Sequence, residues 1–188
     1  MEISFSKIIA DVRLVLLNPK EFWVDRKTTE GSQRLWITYL LPIALAGALA
    51  VFIGEFFSRT DFFIEFPLLK AIRKVLLFVT HYFLSVFFTN ELMKTFGAEK
   101  NKELARKLVV FSMTPMLLVS IVTGLFQFLY VVDILGIYSF YLFWVGAKEL
   151  LTFPENKEHS YILITIVVNF FIFSFLSVFL SKILDVFY

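Results

Sequence analysis

Residues 108–151 read LVVFSMTPMLLVSIVTGLFQFLYVVDILGIYSFYLFWVGAKELL, and this stretch decides the fold. Before Lys148 and Glu149 at its far end, Asp133 is the one charged residue in these 44 positions. A helix needs roughly 20 apolar residues to cross the hydrocarbon of a bilayer, so the stretch is too long for one crossing and about right for two. Backbone N–H and C=O groups cannot stay unpaired in lipid, so both crossings must be helical. The expected turn between them is at Asp133 and Gly136.

Outward from this hairpin, three further apolar runs approach spanning length. The five expected spans are Leu35–Phe57, Leu68–Met93, Leu108–Val132, Ile134–Leu151 and Tyr161–Phe187. The expected fold class is therefore all-α, a membrane protein built as a five-transmembrane-helix bundle. Residues 1–34 form an N-terminal amphipathic, interfacial region and residues 35–188 the membrane domain.

Composition agrees. Hydrophobic residues make up 59% of the 188, aromatic residues 19%, and Phe alone 25 positions. Soluble domains run near 45–50% apolar, so the excess needs a solvent other than water. A net charge of +2 gives no basic surface for nucleic acid. The absence of Cys excludes disulfides, thiol nucleophiles and thiolate metal sites. The N-terminus has no continuous apolar core or small-residue cleavage site of the secretory kind, with Glu2 and Asp11 inside its pattern.

Five spans put residues 1–34, the 94–107 loop and the 148–160 loop on one side, with 13 Lys and Arg. The other side holds Arg59, Lys70, Arg73, Lys74 and Lys182, a total of 5. Positive charge stays in the cytoplasm, so the N-terminus is expected inside and the C-terminus outside.

The first 34 residues carry their own pattern. Phe5, Ile8, Ile9, Val12, Val15 and Leu16 recur at helical spacing, with Ser6, Lys7, Asp11 and Arg13 opposite. Asn18-Pro19-Lys20-Glu21 then starts a second short helix, with Asn18 as N-cap and Pro19 in the first turn. Both pieces could lie on the headgroup layer with Phe22 and Trp23 pointing down, or dock on the protein's own loops.

No catalytic pattern is present: no HExxH helix, no phosphate loop rich in Gly, no GxSxG. No enzyme activity, cofactor or metal is expected. The candidate polar intramembrane site is His81, Asn90, Glu91 and Asn169, because polar groups at membrane depth are expensive and often functional. The alternative for His81 is a neutral imidazole bonded to a neighbouring helix, and for Glu91 a pair with Lys94, Arg106 or Lys107. Ala46, Ala50 and Gly54 form a small-residue groove on the first span. Thr165, Asn169, Phe173, Ser177 and Ser181 form a stripe on the fifth that should face the bundle. Pro115 should kink the third span, with Ser112 and Thr114 placed to satisfy freed carbonyls.

Four motifs, in order, carry a resemblance. They are Leu17-Asn18-Pro19-Lys20-Glu21-Phe22-Trp23; Phe96-Gly97 followed by Phe111-Ser112-Met113-Thr114-Pro115; Leu135-Gly136-Ile137-Tyr138-Ser139-Phe140-Tyr141-Leu142 with Gly146; and the polar loop from Pro154 to Tyr161. Together they resemble the Yip-domain family, known in eukaryotes as interactors of Rab-type GTPases and also widespread in bacteria. The positions that carry the likeness are Pro19, Trp23, Gly97, Ser112, Thr114, Pro115, Tyr138, Tyr141 and Gly146. Ala98 stands where a second Gly is common, and Phe111 where Tyr is common. The chain is similar to the compact bacterial branch, for which a Rab-type GTPase partner is not expected.

The resemblance implies a five-helix bundle with a cytoplasmic N-terminus and no enzyme activity, in the cell membrane (the inner membrane of a bacterium). The expected function is a non-enzymatic protein organising membrane lipid or partner proteins, with lipids, membrane proteins or a second copy of itself as partners. The alternative is a small transporter, channel or lipid-moving protein using a polar path through the bundle.

Overall fold

A computed structural model describes residues 5–28, 31–58, 64–154 and 156–187 of the chain. Glu2 of the N-terminal pattern and Arg59 of the charge count lie outside these residues. Among the described residues every regular element is helical. Two short helices come first, α1 (Phe5–Leu17) and α2 (Pro19–Thr28). A 3-10 turn at Ser32–Arg34 and a π turn at Trp36–Leu40 lead straight into α3 (Leu41–Ser58). Then follow α4 (Glu65–Thr95), α5 (Lys102–Ser112), α6 (Thr114–Leu125), a 3-10 segment at Gln127–Ile137, α7 (Tyr138–Leu150) and α8 (Glu158–Phe187).

Five of these runs are long and apolar enough to cross a membrane: Trp36–Phe56, Glu65–Thr95, Lys102–Leu125, Gln127–Leu150 and Glu158–Val186. The protein is an all-α, multi-pass membrane protein. Large apolar side chains left facing outward, such as Leu45 and Leu49 on α3 and Phe171, Phe175 and Val178 on α8, have lipid rather than water to meet.

Local chemistry sets the ends. Pro19 opens α2, where its missing N–H costs nothing, and the Asn18 carbonyl accepts from Phe22 N at 3.0 Å. Asn101 caps α5, its side chain accepting from Leu104 N at 3.0 Å. At the end of α4, Gly97 N donates to Lys94 O and Ala98 N to Met93 O, a Schellman closure. That closure needs a left-handed residue, and Gly97 supplies it with φ +86.

The hairpin joint falls earlier than Asp133. Helix α6 stops at Leu125, Phe126 has non-helical angles (φ −121, ψ 83), and the chain continues as the 3-10 segment. Asp133 and Gly136 therefore lie within a helical run rather than in the turn. The break sits where Gly124 packs against the backbone of α3. A Cβ on Gly124 would stand 2.9 Å from Val51 Cγ2, and one on Gly54 2.0 Å from the Gly124 carbonyl. Close backbone approach of this kind is how small residues join membrane helices. The small-residue groove runs through Gly47, Ala50 and Gly54; Ala46 is turned outward and exposed. Gly47, three residues before Ala50 and seven before Gly54, lies on the edge of that face turned toward Ser120 and Ile121.

Phe22 and Trp23 do not point into the headgroup layer. Both are buried in one core with Phe111, Leu108 and Leu142. Phe22 meets Phe111 edge-on at 4.9 Å between ring centroids. Aromatic pairs of this geometry gain about 0.5–1.5 kcal/mol beyond the area they bury. Helix α1 divides its surface: Ile8, Asp11 and Val15 are buried, while Phe5, Ile9 and Leu17 remain exposed.

Candidate functional site

Helices α4, α5, α6, α7 and α8 and the 3-10 segment line a half-open cavity of about 360 Å³. From α4 it is lined by Arg73, Lys74, Leu77, Phe78, His81 and Ser85. Arg73/Lys74, Leu77/Phe78, His81 and Ser85 come from successive turns, three or four residues apart, so they share one helical face. Facing them are Ser112, Met113 and Ser120 of the third span, Asp133 of the 3-10 segment, Ser139 and Phe143 of α7, and Asn169, Phe173 and Ser177 of α8.

His81 is 4% exposed, and its Nε2 lies 3.3 Å from the Asn169 carbonyl. A carbonyl only accepts, so Nε2 carries the hydrogen and Nδ1 of the neutral ring is an acceptor. Phe173 meets the imidazole edge-on at 5.3 Å. His81 Nδ1, Ser85 Oγ, Ser112 Oγ and Asn169 Oδ1 are all buried without a hydrogen-bond partner. All four residues line the cavity. Each buried polar atom left unmet costs on the order of 1–3 kcal/mol. Ser120 and Ser139 are already committed, the first donating to Leu117 O at 2.8 Å and the second accepting from Met116 N at 3.3 Å.

At one end of the cavity stand Arg73 and Lys74. Lys70, one turn earlier, is neutralised by Glu55, which also accepts from Gln127 Nε2 at 2.6 Å. Arg73 Nε is buried without a partner, and Lys74 Nζ lies 5.5 Å from the centre of the Phe78 ring.

His81 and Asn169 are thus brought together at one site. Asn90 and Glu91 are not part of it. Glu91 pairs with Lys100, an exposed partner supplied by the turn after Gly97 rather than by Lys94, Arg106 or Lys107. His159 is exposed beside the Trp144 ring, 5.6 Å away. The cavity residues that sequence reasoning passed over are Arg73, Lys74, Ser85, Ser120, Asp133 and Ser139. The four-residue steps 73, 77, 81 and 85 were the available signal. Among the described residues no group of three or more His, Asp or Glu is placed to hold a metal.

On the side of α1 and α2, Asp11 and Arg26 form a mostly buried ion pair. The guanidinium also lies 5.0 Å from the Phe22 ring and 5.2 Å from that of Phe111. Lys107 Nζ donates to the Arg26 carbonyl at 3.2 Å. Burial pushes the Asp11 carboxyl above its usual value of 3.8, against the downward pull of Arg26 and Lys7.

The model of the Yip1 domain matches residues 13–177, most of the chain. The chain belongs to the Yip1 domain family. No curated protein and no solved structure matches it.

The motif residues of this Yip1 domain have structural work. Trp23 lies flat enough on Gly146 that a Cβ there would stand 2.5 Å from its ring. Pro115 has no N–H to give the Phe111 carbonyl, and Thr114 Oγ1 donates to that carbonyl instead, at 2.7 Å. With its hydrogen so used, Thr114 accepts from the Tyr39 hydroxyl at 2.8 Å. The third span breaks there between α5 and α6, as expected of Pro115, but Ser112 satisfies no freed carbonyl. Tyr138 donates to the Leu16 carbonyl at 3.0 Å, closing the end of α1, and stacks on the exposed Tyr141 at 5.3 Å.

Proposed function

We propose that this Yip1-domain protein is a non-enzymatic organiser of membrane lipid that holds part of a lipid molecule inside its bundle. The observation that carries the reading is the cavity with four unpartnered buried polar atoms, His81 Nδ1, Ser85 Oγ, Ser112 Oγ and Asn169 Oδ1. A purely structural hollow between membrane helices gains nothing from such atoms, since each could be replaced by a methyl group at lower cost. The remaining lining is largely Phe, Leu, Met and Val, which suits a hydrocarbon chain.

The N-terminus lies in the cytoplasm, as the Lys and Arg bias favours. Phe5, Ile9 and Leu17 of α1 then rest in the cytoplasmic leaflet, and α1 and α2 form the surface for membrane or protein partners. A second reading, movement of lipid between leaflets, is favoured by the extent of the cavity along α4 from Arg73 to Ser85, about three turns.

The test is lipid retention. Wild-type protein, purified in mild detergent and examined by native mass spectrometry, should keep bound lipid through washing. Ser85→Leu and Ser112→Leu, which fill the hollow without touching a charge, should release most of it. A wild type that retains no more lipid than these variants would end the reading. Labelled lipid crossing in proteoliposomes, compared with empty vesicles, decides between holding and moving.

A further inference from the structure

Resting on the reading of the cavity as a lipid site, we infer that Arg73 and Lys74 select the occupant: a lipid with an anionic, phosphate-bearing headgroup, its chain running past His81 toward Ser85. Three observations converge. First, Arg73 and Lys74 line the cavity, and among the described residues neither makes an ion pair. Lys70, one turn away on the same helix, has its own carboxylate in Glu55. Cations in a membrane span without a direct ion pair are costly, and an anion brought by the occupant lowers that cost.

Second, the two cations differ in a useful way. Arg73 offers a planar fork of donors, with Nε buried and unpartnered, while Lys74 is a point charge whose Nζ lies 5.5 Å from the centre of the Phe78 ring. That combination suits a phosphate, which accepts several donors at once. Third, the depth is right. Arg73 and Lys74 sit within about three turns of the start of α4 at Glu65, so a headgroup bound there stays near the interface while its chain enters the apolar part of the hollow.

Two carboxylates oppose the charge. Asp133 lines the cavity and acts electrostatically on Lys74, and Asp185 acts on Arg73 from the end of α8, where it pairs with Lys182 at 3.6 Å. Asp133 is therefore a built-in competitor of the ligand anion, which supplies a variant of opposite sign to the removal of a cation.

The experiment uses the full chain in uncharged detergent with three probes: phosphatidylglycerol, phosphatidylcholine of the same chains, and inorganic phosphate. Bound mass and thermal stability are read for each. Wild type should retain phosphatidylglycerol roughly tenfold or more over phosphatidylcholine. Arg73→Gln with Lys74→Gln should erase that preference. Asp133→Asn should increase the preference. Inorganic phosphate alone should produce no shift, since the chain supplies much of the binding; a shift equal to that of phosphatidylglycerol would make the site one for a free anion and overturn the inference. Equal retention of both lipids, or a preference that survives the double variant, overturns it also. If the double variant fails to fold, Asp133→Asn decides, and no rise in preference counts against the inference. Failure of every lipid to bind would instead remove the underlying lipid reading.

Discussion

Gly146 has room for a hydrogen and nothing larger. A Cβ built there meets Trp23 at 2.5 and 2.7 Å and Leu108 Cδ1 at 2.8 Å. The Trp23 ring is fully buried between α5 and α7, so it has nowhere to retreat. Gly146→Ala should therefore destabilise the protein by about 1–3 kcal/mol through overpacking, seen as a lower melting temperature in detergent. Trp23→Phe on the Gly146→Ala background should recover part of the loss; an equal melting temperature for wild type and Gly146→Ala would refute the contact. Both positions stood out in the sequence as motif residues. Their contact did not, because they lie on helices far apart in the chain and each alone has an ordinary explanation. The pair Tyr39 and Thr114 makes the same point: the sequence marks Thr114 as a partner of Pro115, but only the packing of the π turn at Trp36–Leu40 supplies the second hydroxyl.

At the scale of the element, α1 and α2 form a hairpin joined within itself by the Asp11–Arg26 pair and fixed to the bundle by Trp23 and the Tyr138 bond to Leu16. The Asp11 carboxyl, held above its usual 3.8 chiefly by burial, binds its proton more tightly when α1 is docked. Docking thus gains from protonation below the ordinary value, and the gain fades as pH rises through the raised one. Hydrogen exchange in α1, corrected for the intrinsic rate, should show protection increasing as the pH falls from 7 toward 4. Protection that falls on acidification would mean that the attraction of Arg26 outweighs the burial. The helical spacing of this segment is plain in the sequence, as is its amphipathic character. What buries Phe22 and Trp23 is not, because an apolar stripe fits a lipid surface and a protein groove equally well.

For the whole molecule, the chain's lack of Cys gives a clean test of topology, since every single-Cys variant has one reporter. Cys at Lys7 or Asn101 should be labelled by an impermeant maleimide only from the cytoplasmic side, and Cys at Lys182 only from the opposite side. Labelling of all three from one side would refute the charge-based orientation. The five spans were legible because a bilayer imposes a length and an apolar composition on each crossing helix, and both are properties of a single segment. The joint at Phe126, the groove through Gly47 and the cavity were not. Each depends on how helices meet, as when Gly54 and Gly124 bring two backbones together. His81 and Asn169 could be singled out one by one as polar residues in apolar runs. That they share one hollow with Arg73, Lys74, Ser85 and Ser112 is a fact about how α4, α5 and α8 pack. Sequence alone determined the solvent of this protein and the number of its membrane spans, since transfer into hydrocarbon is additive along the chain. Tertiary structure decided which polar atoms are left unpaired around one space, since pairing requires two partners and only packing chooses them.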